Sequence, residues 1–264
     1  MRSETRRRGA FTLVELLVVI AIIALLIGVL LPALGAARRA GLRAVSMQNQ
    51  RSLITMVTVY AHDHDDRAPL GWSLGPGEGW KQYNYLLRTN PEGGTPAMRW
   101  MGLLYEHGAF ETPEAFYCPA ELDDLMSFDT ERNPWPPDET APAGRSTRVG
   151  YGVRPLVGWP FPSDSPRPVN MPRLTGVRAG TAIVADLIHK PERLALRHID
   201  GVHAGGADGA VAWTGREALD RVEVDGVRWS DTDGTGFDVA FNDLFLSTDD
   251  EGFERGLWTA LDRR

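Results

Sequence analysis

The chain has 264 residues and a formal net charge of −7, and its 28 basic residues are unevenly placed. The first ten residues hold four arginines against one glutamate, so everything after them carries −10, which argues against nucleic acid as a partner. A single cysteine, Cys118, rules out any disulfide within the chain, so stability has to come from packing.

Residues 6–34 begin with Arg6, Arg7 and Arg8 and continue as an almost unbroken apolar run from Phe11. At about 1.5 Å of helix rise per residue, 11–34 is long enough to cross a hydrocarbon layer about 30 Å thick. Basic residues ahead of such a helix hold that end in the cytoplasm and place the rest across the membrane. One charge, Glu15, lies inside the run. A carboxylate in hydrocarbon costs at least about 2.5–3.5 kcal/mol, so a residue of this kind is expected to have a partner and a task. The next basic side chain along the sequence is Arg38, about six turns away. A cut just before Phe11 would create an α-amino group four residues from Glu15.

The run Gly-Ala-Phe-Thr-Leu-Val-Glu-Leu-Leu-Val-Val-Ile-Ala-Ile-Ile-Ala-Leu-Leu from Gly9 closely resembles the cleavage and methylation segment of type IV prepilins and type II secretion pseudopilins. The resemblance implies removal of a basic leader (1–10) by a prepilin peptidase at Gly9, Ala10 and Phe11, and methylation of the new terminal amine. It also implies a single-pass location in the inner membrane with the head exported. Copies of this chain or other pilin-like subunits would then form a filament, with Glu15 neutralising a neighbour's N-terminus. Family members usually have Gly directly before Phe, whereas Ala10 intervenes here. A cut after Ala10 makes Glu15 the fifth residue of the mature chain, and a cut after Gly9 makes it the sixth. The favoured cut follows Ala10.

A contrasting fate starts from the small residues around Ala33, Leu34 and Gly35, the kind a signal peptidase prefers. Cleavage there would release a soluble binding protein. The run is longer than such signals usually are, and Glu15 would then have no purpose.

Pro32 is expected to kink the helix without ending it. Beyond it, Leu42, Val45, Asn49, Leu53, Met56 or Val57, and Tyr60 recur at three- and four-residue steps, with Arg39, Arg43, Gln50 and Arg51 elsewhere around the helix. The pattern predicts one helix over 11–62, its part from 35 onward an amphipathic continuation beneath a head spanning 63–264. The polar segment from His62 to Asp66 reads as a solvated helix end closed by Pro69.

Residues 71–96 read as a loop rich in Gly, Pro and aromatics. A short helix is predicted over 98–110, with Met101, Leu104 and Tyr105 on one face and a stop near Gly108. Strands are predicted at 115–118, 148–157, 181–186, 194–198 and 239–245. The stretch 121–146 reads as a long surface loop, 202–213 as a hairpin and 216–219 as a short helix. Together these give an α+β fold, a long helix packed against a mainly antiparallel sheet.

The head carries a second set of marks. Arg197 and His198, followed after nine residues by Asp208 and Gly209, resemble the His-x9-Asp-Gly signature of pilin-like proteins of planctomycete-type bacteria. Tyr60-Ala61-His62-Asp63 and Phe116-Tyr117-Cys118-Pro119 are similar to that group's other marks. The group often has Cys near the position of Ser46, a natural partner for the Cys before Pro, so Ser46 here leaves Cys118 alone. Asp-Gly suits a tight hairpin turn, and His198 is read as a side chain able to hydrogen-bond across it. The glycines in His203-Ala204-Gly205-Gly206 predict a weak strand.

Two chemical patterns compete with the structural reading. Gly71-Trp72-Ser73-Leu74-Gly75, followed by Asp186 and His198, has the order of a serine hydrolase, but Pro69 and Pro76 leave no strand–turn–helix for the nucleophile. Asp231, Asp233 and Asp238 alternate with glycines as in oxygen-rich calcium loops, without the Glu or spacing of an EF-hand. No catalytic residue is expected, and calcium is the one candidate cofactor.

Overall fold

The computed structural model describes residues 13–70, 85–90, 96–108, 112–137, 144–154, 171–188, 191–224, 226–232 and 256–263. The chain divides into two compact units, one up to Leu42 and one from Arg43 onward. Helix α1, Leu13–Asp63, continues through Pro32. Its N-terminal part is long and apolar enough to cross a membrane, and its large apolar side chains from Leu13 to Leu34 are exposed.

In the second unit, α1 contributes Leu53, Ile54, Met56, Val57, Tyr60 and Ala61 to the interior. Its buried face is turned from the one predicted. Val45 is exposed, while Ser46 and Gln50 are fully buried, because they meet polar groups of the head. Asn49 does lie on the packed side and donates to the Tyr117 carbonyl at 3.0 Å.

Two antiparallel sheets follow. Strands β1 (Leu86–Thr89), β2 (Ala97–Met98) and β3 (Thr147–Arg148) form one, in the order β2-β1-β3. The larger has the order β4-β5-β6-β7, with β4 Tyr151–Val153, β5 Ala182–Asp186, β6 Gly201–Gly206 and β7 Val211–Gly215. The architecture is the α+β layout read from the sequence. Helix α2, Met101–His107, ends at Gly108 with φ 71°, the left-handed cap that glycine favours.

The interior strands β5 and β6 are buried along their whole length. From β6, Val202 and Ala204 enter an apolar cluster with Leu194, Leu219, Trp229, Leu257, Trp258 and Leu261. Successive side chains of a strand point to opposite faces, so His203 and Gly205 face the other way, where Gly205 meets Ile54 of α1. The cluster brings together α3 (Pro191–Leu196), α4 (Arg216–Asp220) and α5 (Leu257–Leu261), and beside it runs a two-stranded ribbon, β8 (Glu223–Val224) with β9 (Val227–Arg228). The Arg154 guanidinium anchors the end of α5 through Asp262 at 2.5 Å, and Asp262 also accepts the Ala182 N–H at 2.8 Å.

Five sequence expectations are corrected. Residues 86–89, inside the segment read as a loop, form β1, and the strand read from 148 onward is broken after Arg148, where the chain leaves the smaller sheet and enters the larger as β4. Residues 113–116 form a 3-10 turn opened by Pro113, not a strand. The segment 194–198 is the end of α3 and the turn after it, because the helix starts at Pro191. Part of the loop 121–146 is tied inward: Asn133 is 1% exposed, donates to the carbonyls of Ser127 and Arg148 at 3.0 Å each, and accepts the Arg148 N–H at 3.0 Å. The predicted strand 239–245 lies outside the described residues.

Candidate functional site

Glu15 stands in the first turn of α1 within the exposed apolar stretch. The processing residues Gly9, Ala10 and Phe11 lie outside the described residues, as do Ser73 of the hydrolase-like pattern and Asp233 and Asp238 of the calcium-like loop. Asp231 ends a 3-10 turn and accepts from the Ser230 hydroxyl at 2.9 Å.

The His-x9-Asp-Gly residues occupy opposite ends of β6. Asp208 and Gly209 make the β6–β7 turn, with Gly209 at φ 83°. There Asp208 Oδ1 accepts the Ala210 N–H at 3.1 Å and pairs with Arg263. His198 precedes the strand by three residues, so six residues of extended chain, roughly 20 Å at the usual strand rise, separate it from the turn. The expected hydrogen bond across the turn is therefore not made.

His198 instead joins a buried polar cluster drawn from five places in the sequence. Its Nε2 lies 3.4 Å from Cys118 Sγ and 3.8 Å from Asp186 Oδ2. Asp186 Oδ2 also accepts the His203 backbone N–H at 2.7 Å, and the His203 ring places Nδ1 at 3.6 Å from the same oxygen. The other oxygen, Oδ1, accepts the Ser46 hydroxyl at 3.3 Å, which lies 3.1 Å from the Tyr151 hydroxyl and 4.0 Å from the Cys118 sulfur. Gln50 donates to the His203 carbonyl at 3.2 Å. Beside the cluster, the Arg197 guanidinium is committed to Glu121 and to the Gly150 carbonyl.

Burial governs the charges. It pushes the Cys118 thiol up to about 12, with the Asp186 charge adding to the effect. It also holds His198 below its ordinary value, against the pull of Asp186. Asp186 itself lies below the usual carboxylate range. Burial would raise it, but the His203 and His198 rings and the His203 N–H outweigh that.

The order thiol, imidazole, carboxylate resembles a nucleophilic triad, yet its geometry does not fit one. Cys118 and Asp186 both approach the same ring nitrogen of His198, whereas a relay needs them on opposite nitrogens. An inert buried thiol is the opposite of an activated nucleophile.

The sequence reading named Asp186 and His198 in connection with Ser73, and Ser46 with Cys118, without joining the pairs. A local signal existed: Asp186 closes the otherwise apolar strand Ala182–Asp186, and a carboxylate there needs buried partners.

No curated protein and no solved structure matches the chain. Residues 5–31 match the family model of the prokaryotic N-terminal methylation motif. Together with the long apolar helix α1 and the antiparallel sheets, that match supports a type IV pilin-like protein anchored in a membrane with an exported head.

Proposed function

We propose that the chain is a structural pilin or pseudopilin-like subunit made as a precursor, cut by a prepilin peptidase after Ala10 and methylated on Phe11. Released from its leader, it assembles with other pilin-like subunits through α1 into a filament of the type II secretion or type IV pilus kind, based in the inner membrane. The observation that carries this reading is the methylation-motif match over 5–31, which includes Glu15 in the first turn of an apolar helix. In the assembled filament Glu15 meets the terminal amine of a neighbouring copy, which offsets the cost of a carboxylate in hydrocarbon. The head contributes no chemistry to processing; cutting and methylation belong to the peptidase.

The test is mass spectrometry of the mature protein from native membranes, with Glu15→Leu alongside. A methylated Phe11 terminus is expected in both, with the variant absent from sheared filaments. A protein that keeps Met1, or begins near Ala36, refutes the proposal. A Glu15→Leu variant found in filaments at the parent's level refutes the amine pairing.

A further inference from the structure

Sulfur, nitrogen and oxygen donors converge in the head from separate segments. Cys118 Sγ, the Asp186 carboxylate and His198 Nε2 all lie within 4.8 Å of one another, with the thiol–imidazole distance 3.4 Å and the imidazole–carboxylate distance 3.8 Å. A tetrahedral zinc ion, with bonds of about 2.0–2.3 Å, holds its ligand atoms roughly 3.3–3.8 Å apart. The three groups therefore already stand near the spacing that such an ion imposes.

A second observation lies beside these three groups, against the Asp186 carboxylate. His203 is 5% exposed, and its Nδ1 stands just beyond hydrogen-bond distance of its one neighbouring acceptor, 3.6 Å from Asp186 Oδ2. A buried ring nitrogen held short of a full hydrogen bond is uncommon and leaves room for an ion to bridge it to the carboxylate. Asp186, 1% exposed, poses the complementary problem. Buried carboxylates are paired with a cation or bind a metal, and among the described residues its only ion-pair contacts are the two histidines. Arg197 is taken by Glu121.

We propose that Cys118, Asp186, His198 and His203 bind a transition-metal cation of the zinc class. Mixed thiolate, imidazole and carboxylate donors suit zinc and exclude calcium and magnesium, which take oxygen. Cys118, Asp186 and His198 supply three ligands as they stand, and the His203 ring, turning in from beside Asp186, supplies the fourth, which closes the site and makes it structural and not catalytic. Coordination replaces the Cys118 S–H bond with an S–metal bond and releases that proton to solvent. The ion ties the segment at Cys118 to β5, to the turn after α3 and to β6. Ser46 on Asp186 Oδ1 and Gln50 on the His203 carbonyl orient the ligands from outside. The site does not depend on whether the chain assembles into a filament.

The experiment uses the full chain in detergent, stripped with chelator under reducing conditions and titrated with Co2+ and then Zn2+. Cys118 is the one cysteine in the sequence, so a thiolate-to-cobalt charge-transfer band can only arise from it. The expected result is that band at one equivalent of Co2+, intense tetrahedral d–d absorption, and loss of both when Zn2+ displaces cobalt. His203→Ala is expected to weaken zinc by more than the 10- to 100-fold typical of an outer partner. Absence of the charge-transfer band from the folded parent overturns the site, and this holds even where a variant fails to fold. Zinc bound by His203→Ala as tightly as by the parent overturns the ligand set.

Discussion

Replacing Gly205 with alanine tests the packing of α1 on the large sheet. A Cβ at this position would lie 2.3 Å from Ile54 Cδ1, 3.2 Å from Ile54 Cγ1 and 3.5 Å from Val211 Cγ2. Carbon atoms in good contact stand about 3.5–4.0 Å apart, so the first distance is short by more than 1 Å. Ile54 is 2% exposed, and Leu53 and Val57 beside it are fully buried, which leaves its methyl little room to turn away. Overpacking of this kind costs about 1–3 kcal/mol. Without the clash, Gly→Ala would instead stabilise by about 0.4–1 kcal/mol through the unfolded chain, so even the sign is diagnostic. Ile54→Val removes the offending Cδ1 and alone costs about 0.5–1.5 kcal/mol. The double variant should therefore recover about 1 kcal/mol or more of the summed losses. All eight tryptophans lie beyond residue 71, so urea unfolding of the full chain in detergent, followed by tryptophan fluorescence, reads the head. A Gly205→Ala variant at least as stable as the parent, or costs that add within about 0.5 kcal/mol, would refute the close approach.

Ser46→Cys should form a disulfide with Cys118 under oxidising conditions, since the Ser46 hydroxyl lies 4.0 Å from the Cys118 sulfur. The readout is a loss of two free thiols per chain in a denaturing thiol assay, and a product that keeps both thiols counts against that placement. Asn133→Ala leaves the Arg148 N–H and two carbonyls without their present partners. It should destabilise the head by about 1–3 kcal/mol in the same urea assay, and no shift in midpoint would show that Asn133 is not an anchor.

The long helix, α2 with its glycine stop and the β6–β7 hairpin were legible because each rests on a local rule of period, cap or turn. The strand expected at 115–118 was misread because Phe116, Tyr117 and Cys118 have strand character one by one, whereas Pro113 starts a 3-10 turn. Gly205 and Gly206 suggested a weak strand, yet β6 pairs on both sides. At Gly205 the missing side chain is what admits Ile54. The polar cluster was the least visible part. Periodicity sends Ser46 and Gln50 to solvent, and only the folded chain shows Asp186, 140 residues from Ser46, waiting on the other side. The N-terminal segment needed no tertiary context at all, since length, charge and one acid in an apolar run are properties of the sequence itself.

Two of the contacts that α1 makes with the larger sheet fix the helix as a two-toothed key fixes a lock. Ser46 engages Asp186 and Ile54 fills the gap over Gly205, eight positions or about 12 Å apart along the axis. Sliding the helix by one turn, about 5.4 Å, would bring Leu42 or Gln50 opposite the carboxylate and set a different side chain over the glycine. One tooth is chemical and the other steric, so a shifted alignment that satisfies one need not satisfy the other.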